Sequence, residues 1–546
     1  MRTERIVGWV LALLTTIIVI GNQQDIGVAR DEVVYMQNGT RYADWWLGLV
    51  TFEHGVSKAS IAKSFGGPGA TDNNREHPAL IKTMFGLSKK LFHDKLGVNE
   101  LTAYRIPTAI LHGVCVLLVY LMALTLWGFA EGVVSALLLM LLPRAMFHAG
   151  LAAFDAPIMT MWFATIFTYW KCLDGRRFPW QAGVVFGLAL ATKHNAFLLP
   201  FAIGTHYIVL GIRNRARGWR GVVLHHWRVL ALLALLGPLT LIAVWPWLWF
   251  DPYHHVREWI AFHTTHVHYN FEYLGENWNA PRFPWHTALV TTLFTVPVVT
   301  LLAAAFGAGS WFARRAKVAD PARAPGLLLA LSAAASIGPF FLGTTPIFGA
   351  EKHWMPALPS ICIAAGVGVV WAARLAIGSI ETMRPLSARG RSAILASVVS
   401  IVLAAAAVET VTAQPYALTW YNALAGGAPG GADHGMNRQF WGVAARGVLP
   451  VLAAEAPPPN APPRHVYTHD ASPAWGVYQR LGLLPRTLPD AGWEQSGIDR
   501  SQLAIVIHEK HFNRHDYLIW KSYGTVQPVF VLRVDGVPIV SVYRRP

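Results

Sequence analysis

Apolar residues in this chain come in long runs rather than in strict alternation, and the runs are the length of membrane spans. A bilayer core of ~30 Å requires about 20 apolar residues in a helix. Runs of roughly that length fall near 6–22, 106–128, 132–148, 154–172, 180–196, 197–212, 229–249, 286–312, 325–342, 357–376 and 392–413. The pattern predicts a membrane all-α architecture over residues 1–413: a polytopic bundle of about eleven transmembrane helices. The first run, followed by the small residues Gly27-Val28-Ala29, also fits a signal peptide. An uncleaved anchor is the preferred expectation, because charged residues of functional type follow at once.

Beyond the last run the pattern changes. Residues 414–463 form a post-membrane segment ending in the Pro-rich stretch APPPNAPPR (456–464). Residues 464–546 then mix short apolar runs with turn residues. They predict a strand at His465–His469, a helix at Ala474–Leu484, a strand at Leu503–His508, a helix around Asn513–Tyr523 and a hairpin turning at Asp535-Gly536. This is a small α/β domain with no evident catalytic cluster, expected to serve as a scaffold or in acceptor recognition.

Composition sharpens the class. Hydrophobic residues make up 54% and charged ones only 14%, where a soluble globular protein carries about 25% charged residues. Mean hydropathy is +0.37. A soluble enzyme, a disordered chain and a disulfide scaffold are excluded. The 45 Lys+Arg against 30 Asp+Glu leave a net charge of +15. That excess flanks the apolar spans, so it points to a membrane and not to nucleic acid. Cys115, Cys172 and Cys362 lie in or beside apolar runs with no disulfide or metal spacing.

Orientation follows from the cations. Arg2 and Arg5 fall on the same side as Lys171, Arg176 and Arg177, then Arg213, Arg215, Arg217, Arg220 and Arg228. Arg314, Arg315, Lys317 and Arg323 follow, with Arg374, Arg384, Arg389 and Arg391 last. A cytoplasmic N-terminus therefore puts the 23–105 loop, the 250–285 loop, the 343–356 loop and the tail together on the outer face. Trp45-Trp46 and the Trp245–Phe250 cluster suit an interfacial aromatic belt. Residues 77–97 predict an outer juxtamembrane helix, with Leu80, Met84, Leu87 and Leu91 on one side and Lys82, Lys89, Lys90 and Lys95 around the others. Such a helix fits either a surface packed on the bundle or a platform for an anionic lipid headgroup.

Ionisable groups beside membrane spans are costly and mark function by default. Asp31-Glu32 follows the first run. Asp155 opens the fourth, near Arg144 and His148, where it also suits a helix cap. His77 and Lys82 lie in the first loop, with Arg105 at the mouth of the second run. Lys193-His194-Asn195 ends a run almost without polar neighbours, so Lys193 requires an anionic partner. Glu351-Lys352-His353-Trp354 is a further cluster. Carboxylates and cations at one membrane face suit transfer from a lipid-phosphate donor. A carboxylate takes the acceptor's proton, and cations stabilise charge developing on the departing phosphate. His254, His255, His263, His266, His268 and His286 crowd the 250–286 stretch. No fixed fourth ligand completes a zinc set there, so hydrogen bonding or phosphate contact is expected, with a divalent metal as the lesser alternative and no other cofactor.

The order of several motifs resembles the type-C membrane glycosyltransferases, specifically the protein O-mannosyltransferases and their bacterial relatives, including aminoarabinose transferases acting on lipid A. The motifs are Asp31-Glu32 with Tyr35, Glu76-His77-Pro78-Ala79-Leu80, Arg105-Ile106-Pro107, Asp155-Ala156-Pro157 and Ala191-Thr192-Lys193-His194-Asn195. Lys352 through Pro359, Tyr421 through Gly427 and Trp441-Gly442 complete the set. The resemblance implies a helix bundle with amphipathic juxtamembrane helices and a cavity between them. It also implies inverting sugar transfer from a polyprenyl-phosphate donor to a protein, lipid or glycan acceptor in the bacterial inner membrane, with the tail periplasmic. By the same resemblance, Asp31, Glu32 and Asp155 are the catalytic carboxylates. Lys82, Arg105, Lys193 and His77 are candidates for the donor phosphate, with Tyr35, His194, Asn195, Lys352 and His353 around the substrate and no metal. The rival classes are a multi-pass transporter or flippase for a lipid-linked or anionic solute, and a non-catalytic scaffold. Transporters favour internal repeats and midplane charges, which this sequence lacks.

Overall fold

The computed structural model describes residues 2–66, 74–173, 178–213, 219–266, 268–312, 323–510 and 513–546. Arg176, Arg177, Arg215, Arg217, Arg314, Arg315 and Lys317, named above for orientation, lie outside the described residues.

All eleven apolar runs are helical. Among the described residues, seven helices are long and apolar enough to cross a membrane: Thr3–Asn22, Glu100–Leu126, His194–Arg213, His226–Val244, Pro325–Leu342, Met355–Glu381 and Ala388–Ala413. Two further runs are bent pairs, Phe129–Met140 with Pro143–Ala149 (68°) and Thr287–Thr295 with Val298–Trp311 (117°), which raise the count to nine if each is one span. The expected eleven is therefore not reached by this measure. Trp180–Leu190 has only 11 residues, about 16 Å of helix. Asp155–Cys172 carries a charged residue near each end.

Proline explains both bends. Leu142, before Pro143, is extended (φ −99°, ψ 113°), and so is Val296, before Pro297 (φ −98°, ψ 137°). Steric conflict with the proline ring disfavours the helical region at the preceding residue. The second break exposes carbonyls that the bilayer would leave unpaired. Asn422 supplies the missing donors: its Nδ2 donates to Leu293 O and Val296 O, both at 2.6 Å.

The 23–105 loop is mostly helix. Arg30–Val50 starts with Glu32 reaching back to accept from the Ala29 N–H at 2.8 Å. It crosses Ala79–Ser88 at Gly39 and Gly86, where a Cβ on Gly86 would sit 2.0 Å from Gly39 O. Only glycine permits that approach. The helix expected at 77–97 runs as Ala79–Ser88 and then widens into a π-helical turn, Lys89–Lys95. Its outward side includes Leu87 and Leu91, which are exposed, while Ile81, Lys82 and Phe85 face inward. The apolar stripe is thus divided: Leu80 and Met84 pack against the buried clusters, and Leu87 and Leu91 stay exposed.

The tail forms a four-stranded sheet in the order β3-β4-β6-β5, from β3 (Val466–Tyr467), β4 (Leu503–Ile507), β5 (Phe530–Val534) and β6 (Val537–Arg544). β3 and β4 are parallel; β4 and β6 are antiparallel, with Leu503 opposite Arg544. The β5–β6 hairpin turns at Asp535 and Gly536, both at positive φ, the backbone a two-residue turn requires. A two-stranded sheet, β1 (Phe271–Tyr273) with β2 (Glu276–Trp278), lies in the 250–285 loop. One apolar cluster joins Ile26, Val33 and Phe85 of the juxtamembrane layer to Trp475, Leu503 and Val540 of the tail. The tail is packed on the bundle, so its side chains share the space beneath it.

Candidate functional site

A cavity of about 870 Å³ opens between the bundle, the juxtamembrane helices and the tail. Its lining draws on the 23–105 loop (Asp31, Tyr35, Glu76, His77), the bundle (Asp155, Lys193), the 250–285 loop (His263, His266), the 343–356 loop (Lys352, His353) and the tail (Asp470, Glu509). The loops expected on one membrane face do gather at one end of the molecule.

Asp31 occupies the first turn of the Arg30–Val50 helix, not a free connector. Its side chain is 30% exposed. One oxygen accepts from Trp441 Nε1 at 2.8 Å; the other lies 3.5 Å from Arg30 Nε. Glu32, one residue on, points away from the cavity. Its four acceptor positions take Ala29 N, Ala152 N and two Arg105 nitrogens, at 2.6–2.8 Å. Arg105 spends all five donors on Glu32 and the Gln23, Ile26 and Gly27 carbonyls. Both side chains are wholly buried. Lys82 is likewise fully buried; it donates to Asn74 O at 2.7 Å and lies over the Tyr42 ring. Glu32, Arg105 and Lys82 therefore do not line the cavity. Their partners are internal, and burial of a charge demands such saturation.

Asp155 is the first residue of its helix and makes no cap; Phe154 holds the cap position without a side-chain bond. The carboxylate instead meets Lys193, whose Nζ donates to Oδ1 at 2.7 Å. Lys193 thus has the anionic partner its isolation required. His148 sits between Asp155 (3.6 Å) and Glu351 (3.7 Å), and Glu351 takes Arg144 at 2.6 Å. This buried row sets the Asp155–Lys193 pair from below.

Lys352 is different. Its ammonium lies 4.0 Å from the Trp441 ring centroid, 4.5 Å from Phe440 and 4.7 Å from Phe348. Such aromatic faces attract a cation without neutralising it. Burial pushes the Lys352 pKa down to about 7, against the opposing pull of Asp155 and Asp31. An anion entering here would meet an ammonium that no carboxylate touches at ion-pair distance among the described residues.

Tyr35 and His77 form one wall. Burial, reinforced by Asp31, Asp155 and Glu76, keeps the Tyr35 phenol protonated. Burial and Lys82 hold His77 neutral. His194 stacks on His263 at 3.8 Å, and burial lowers the His263 pKa to about 4. The Asn195 amide donates to His353 O at 2.7 Å. His266 stacks on Phe348 and His268 faces Phe283, so the spaced histidines turn toward different partners. Among the described residues, no group of three or more His, Cys, Asp or Glu side chains is arranged to hold a metal ion.

Several lining residues escaped the sequence: Arg30, Glu76, Trp441, and in the tail His469, Asp470, Trp493 and Glu509. Glu76 stands beside His77, and Trp441 opens the Trp441-Gly442 pair, both in motifs already singled out, which was a usable signal. The tail residues carry none, because nothing in their local pattern says that they roof a cavity four hundred residues upstream.

No curated protein matches this chain. Among solved structures, ArnT from Cupriavidus metallidurans bound to undecaprenyl phosphate shares 14% identity, covering 98% of this chain and 97% of that one, with a TM-score of 0.48. The archaeal oligosaccharyltransferase AglB from Archaeoglobus fulgidus, in complex with an inhibitory peptide and a dolichol-phosphate, shares 10%, covering 96% and 71%, with a TM-score of 0.48. Arabinosyltransferase EmbB from Mycobacterium smegmatis shares 15%, covering 76% and 43%, with a TM-score of 0.38. Residues 76–247, which hold His77, Asp155 and Lys193, match the family described as dolichyl-phosphate-mannose-protein mannosyltransferase; across this segment the resemblance to the protein O-mannosyltransferases is borne out.

Proposed function

We propose that the chain is an inverting glycosyltransferase that moves a sugar from a polyprenyl-phosphate donor to an acceptor at the outer face of a bacterial inner membrane. In this arrangement the N-terminus is cytoplasmic and the tail periplasmic. The observation that carries the proposal is the shared cavity: a half-open carboxylate, Asp31, and a caged ammonium, Lys352, face the same space from distant parts of the sequence. The family match over 76–247 supports the same reaction class.

Asp31 is the base. It removes the acceptor's proton as the acceptor oxygen or nitrogen bonds to the anomeric carbon. The bond from that carbon to the phosphate oxygen breaks, and its electron pair leaves with the polyprenyl phosphate. Lys352 and Lys193 stabilise the charge gained by the phosphate. Asp155 orients Lys193 rather than acting as base, because its oxygen is committed at 2.7 Å. The apolar stretch of the lining, including Phe197, Leu198, Ile260 and Phe262, suits the first isoprene units of the donor.

The test is transfer in detergent from a labelled polyprenyl-phosphate sugar to acceptors in membrane extract of the native host. Label appearing in an acceptor is expected. Folded protein that neither transfers label nor hydrolyses the donor would overturn the reading and return a transporter to first place.

A further inference from the structure

The tail was expected to be a scaffold or acceptor-recognition module, yet it reaches the candidate base through one residue. Arg30 Nη1 donates to Asp470 Oδ1 at 2.7 Å, while the same guanidinium keeps 3.5 Å from Asp31. Asp470 is buried, with only 8% of its side chain exposed. The backbone fixes the pair from both sides. Arg30 N donates to Trp441 O at 3.0 Å, and the Trp441 indole holds the other Asp31 oxygen. Gly442, at φ +71°, lies so close that a Cβ there would sit 2.7 Å from Asp470 O. Tyr478 of the tail accepts from Val28 N at 2.9 Å, a fastening independent of Arg30.

Two carboxylates compete for one guanidinium, and the buried one has the shorter contact. We propose that Asp470 is a positioning residue of the transferase: by claiming Arg30, it keeps that cation from closing onto Asp31 and so preserves Asp31 as a base. This rests on the function proposed above. An Arg at full ion-pair distance typically lowers a neighbouring carboxyl by about 1–3 pKa units, and a weaker base takes the acceptor's proton less readily. The groups facing Asp31 are Arg30 and Tyr35 from its own helix, Lys352 from the 343–356 loop and Asp470 from the tail. Glu509 faces Arg30 from the tail as well.

Asp470→Asn tests the assignment. Arg30 should swing to Asp31, turnover at neutral pH should fall roughly tenfold, and the acidic limb of the kcat profile should move down by about one pH unit. Asp470→Glu should restore both. Tyr478→Phe loosens the tail without touching Arg30 and should leave the limb in place. A cryo-EM map of Asp470→Asn should show the Arg30–Asp31 contact shortened to below about 3 Å, a readout that needs no activity. A variant that fails to fold, one with wild-type limb and turnover, or a Tyr478→Phe protein with the same limb shift would each overturn the positioning role. A wild type that transfers nothing would instead sink the function proposed above, and the map would still decide this inference.

Discussion

Asp31 and Glu32 are neighbours in one helical turn, each beside an arginine, and they have opposite fates. The Glu32–Arg105 pair is wholly buried, and every donor and acceptor on it is used. The Asp31–Arg30 pair is half-open, its contact is long, and its arginine is shared with Asp470. A saturated pair can only hold structure, because nothing on it is left to exchange with a substrate. An unsaturated pair facing a cavity can trade a proton or a partner. The same contrast separates the cations: Arg105 and Lys82 are consumed internally, whereas Lys352 is caged by rings that leave its charge unneutralised.

The sharpest way to break the comparison is substitution at the two neighbours. Asp31→Asn should cut transfer by about 10²–10⁴-fold, the range expected for loss of a general base, with thermal stability near that of the wild type. Near-normal turnover would remove Asp31 from that role. Glu32→Gln should instead destabilise the fold by about 3–5 kcal/mol, the usual result of stripping one partner from a buried ion pair. It should read out as lost expression or a lowered melting temperature, and a stable Glu32→Gln enzyme with slow chemistry would invert the assignment.

A smaller effect belongs to Lys352. The charged form of lysine is the protonated one, and burial brings the Lys352 pKa down to about 7. Donor affinity should therefore be highest below that pH and weaken as pH rises through it. Lys352→Met should lose roughly tenfold in donor affinity at pH 6 and flatten the pH dependence; an unchanged KM profile would free the phosphate site from Lys352. The smallest expected change is at Gly442. Alanine there forces a left-handed residue and crowds Asp470 O, costing about 1–2 kcal/mol. The measurable sign is a modest fall in melting temperature.

Much of the architecture was legible in the sequence, for particular reasons. Long apolar runs dictate helices whatever surrounds them, since a buried backbone must satisfy its own hydrogen bonds. The Asp535-Gly536 turn demanded positive φ and obtained it. An isolated Lys193 required a carboxylate, and Asp155 provides one at 2.7 Å. The direction of the 77–97 stripe was not legible: Leu80 and Met84 pack inward while Leu87 and Leu91 stay exposed, because an apolar stripe beside a membrane can point at lipid as readily as at protein.

Sequence by itself determined the helices, the gathering of the loops at one end, and the kinds of group available there. Only tertiary structure decided which of two adjacent carboxylates sees the cavity, which cations are already spent, and that the tail reaches Arg30 through Asp470. The physical reason is range. Helix formation and turn geometry are settled within a few residues, but the partner of a charge is whichever group the fold brings within about 3 Å, and sequence separation places no limit on that.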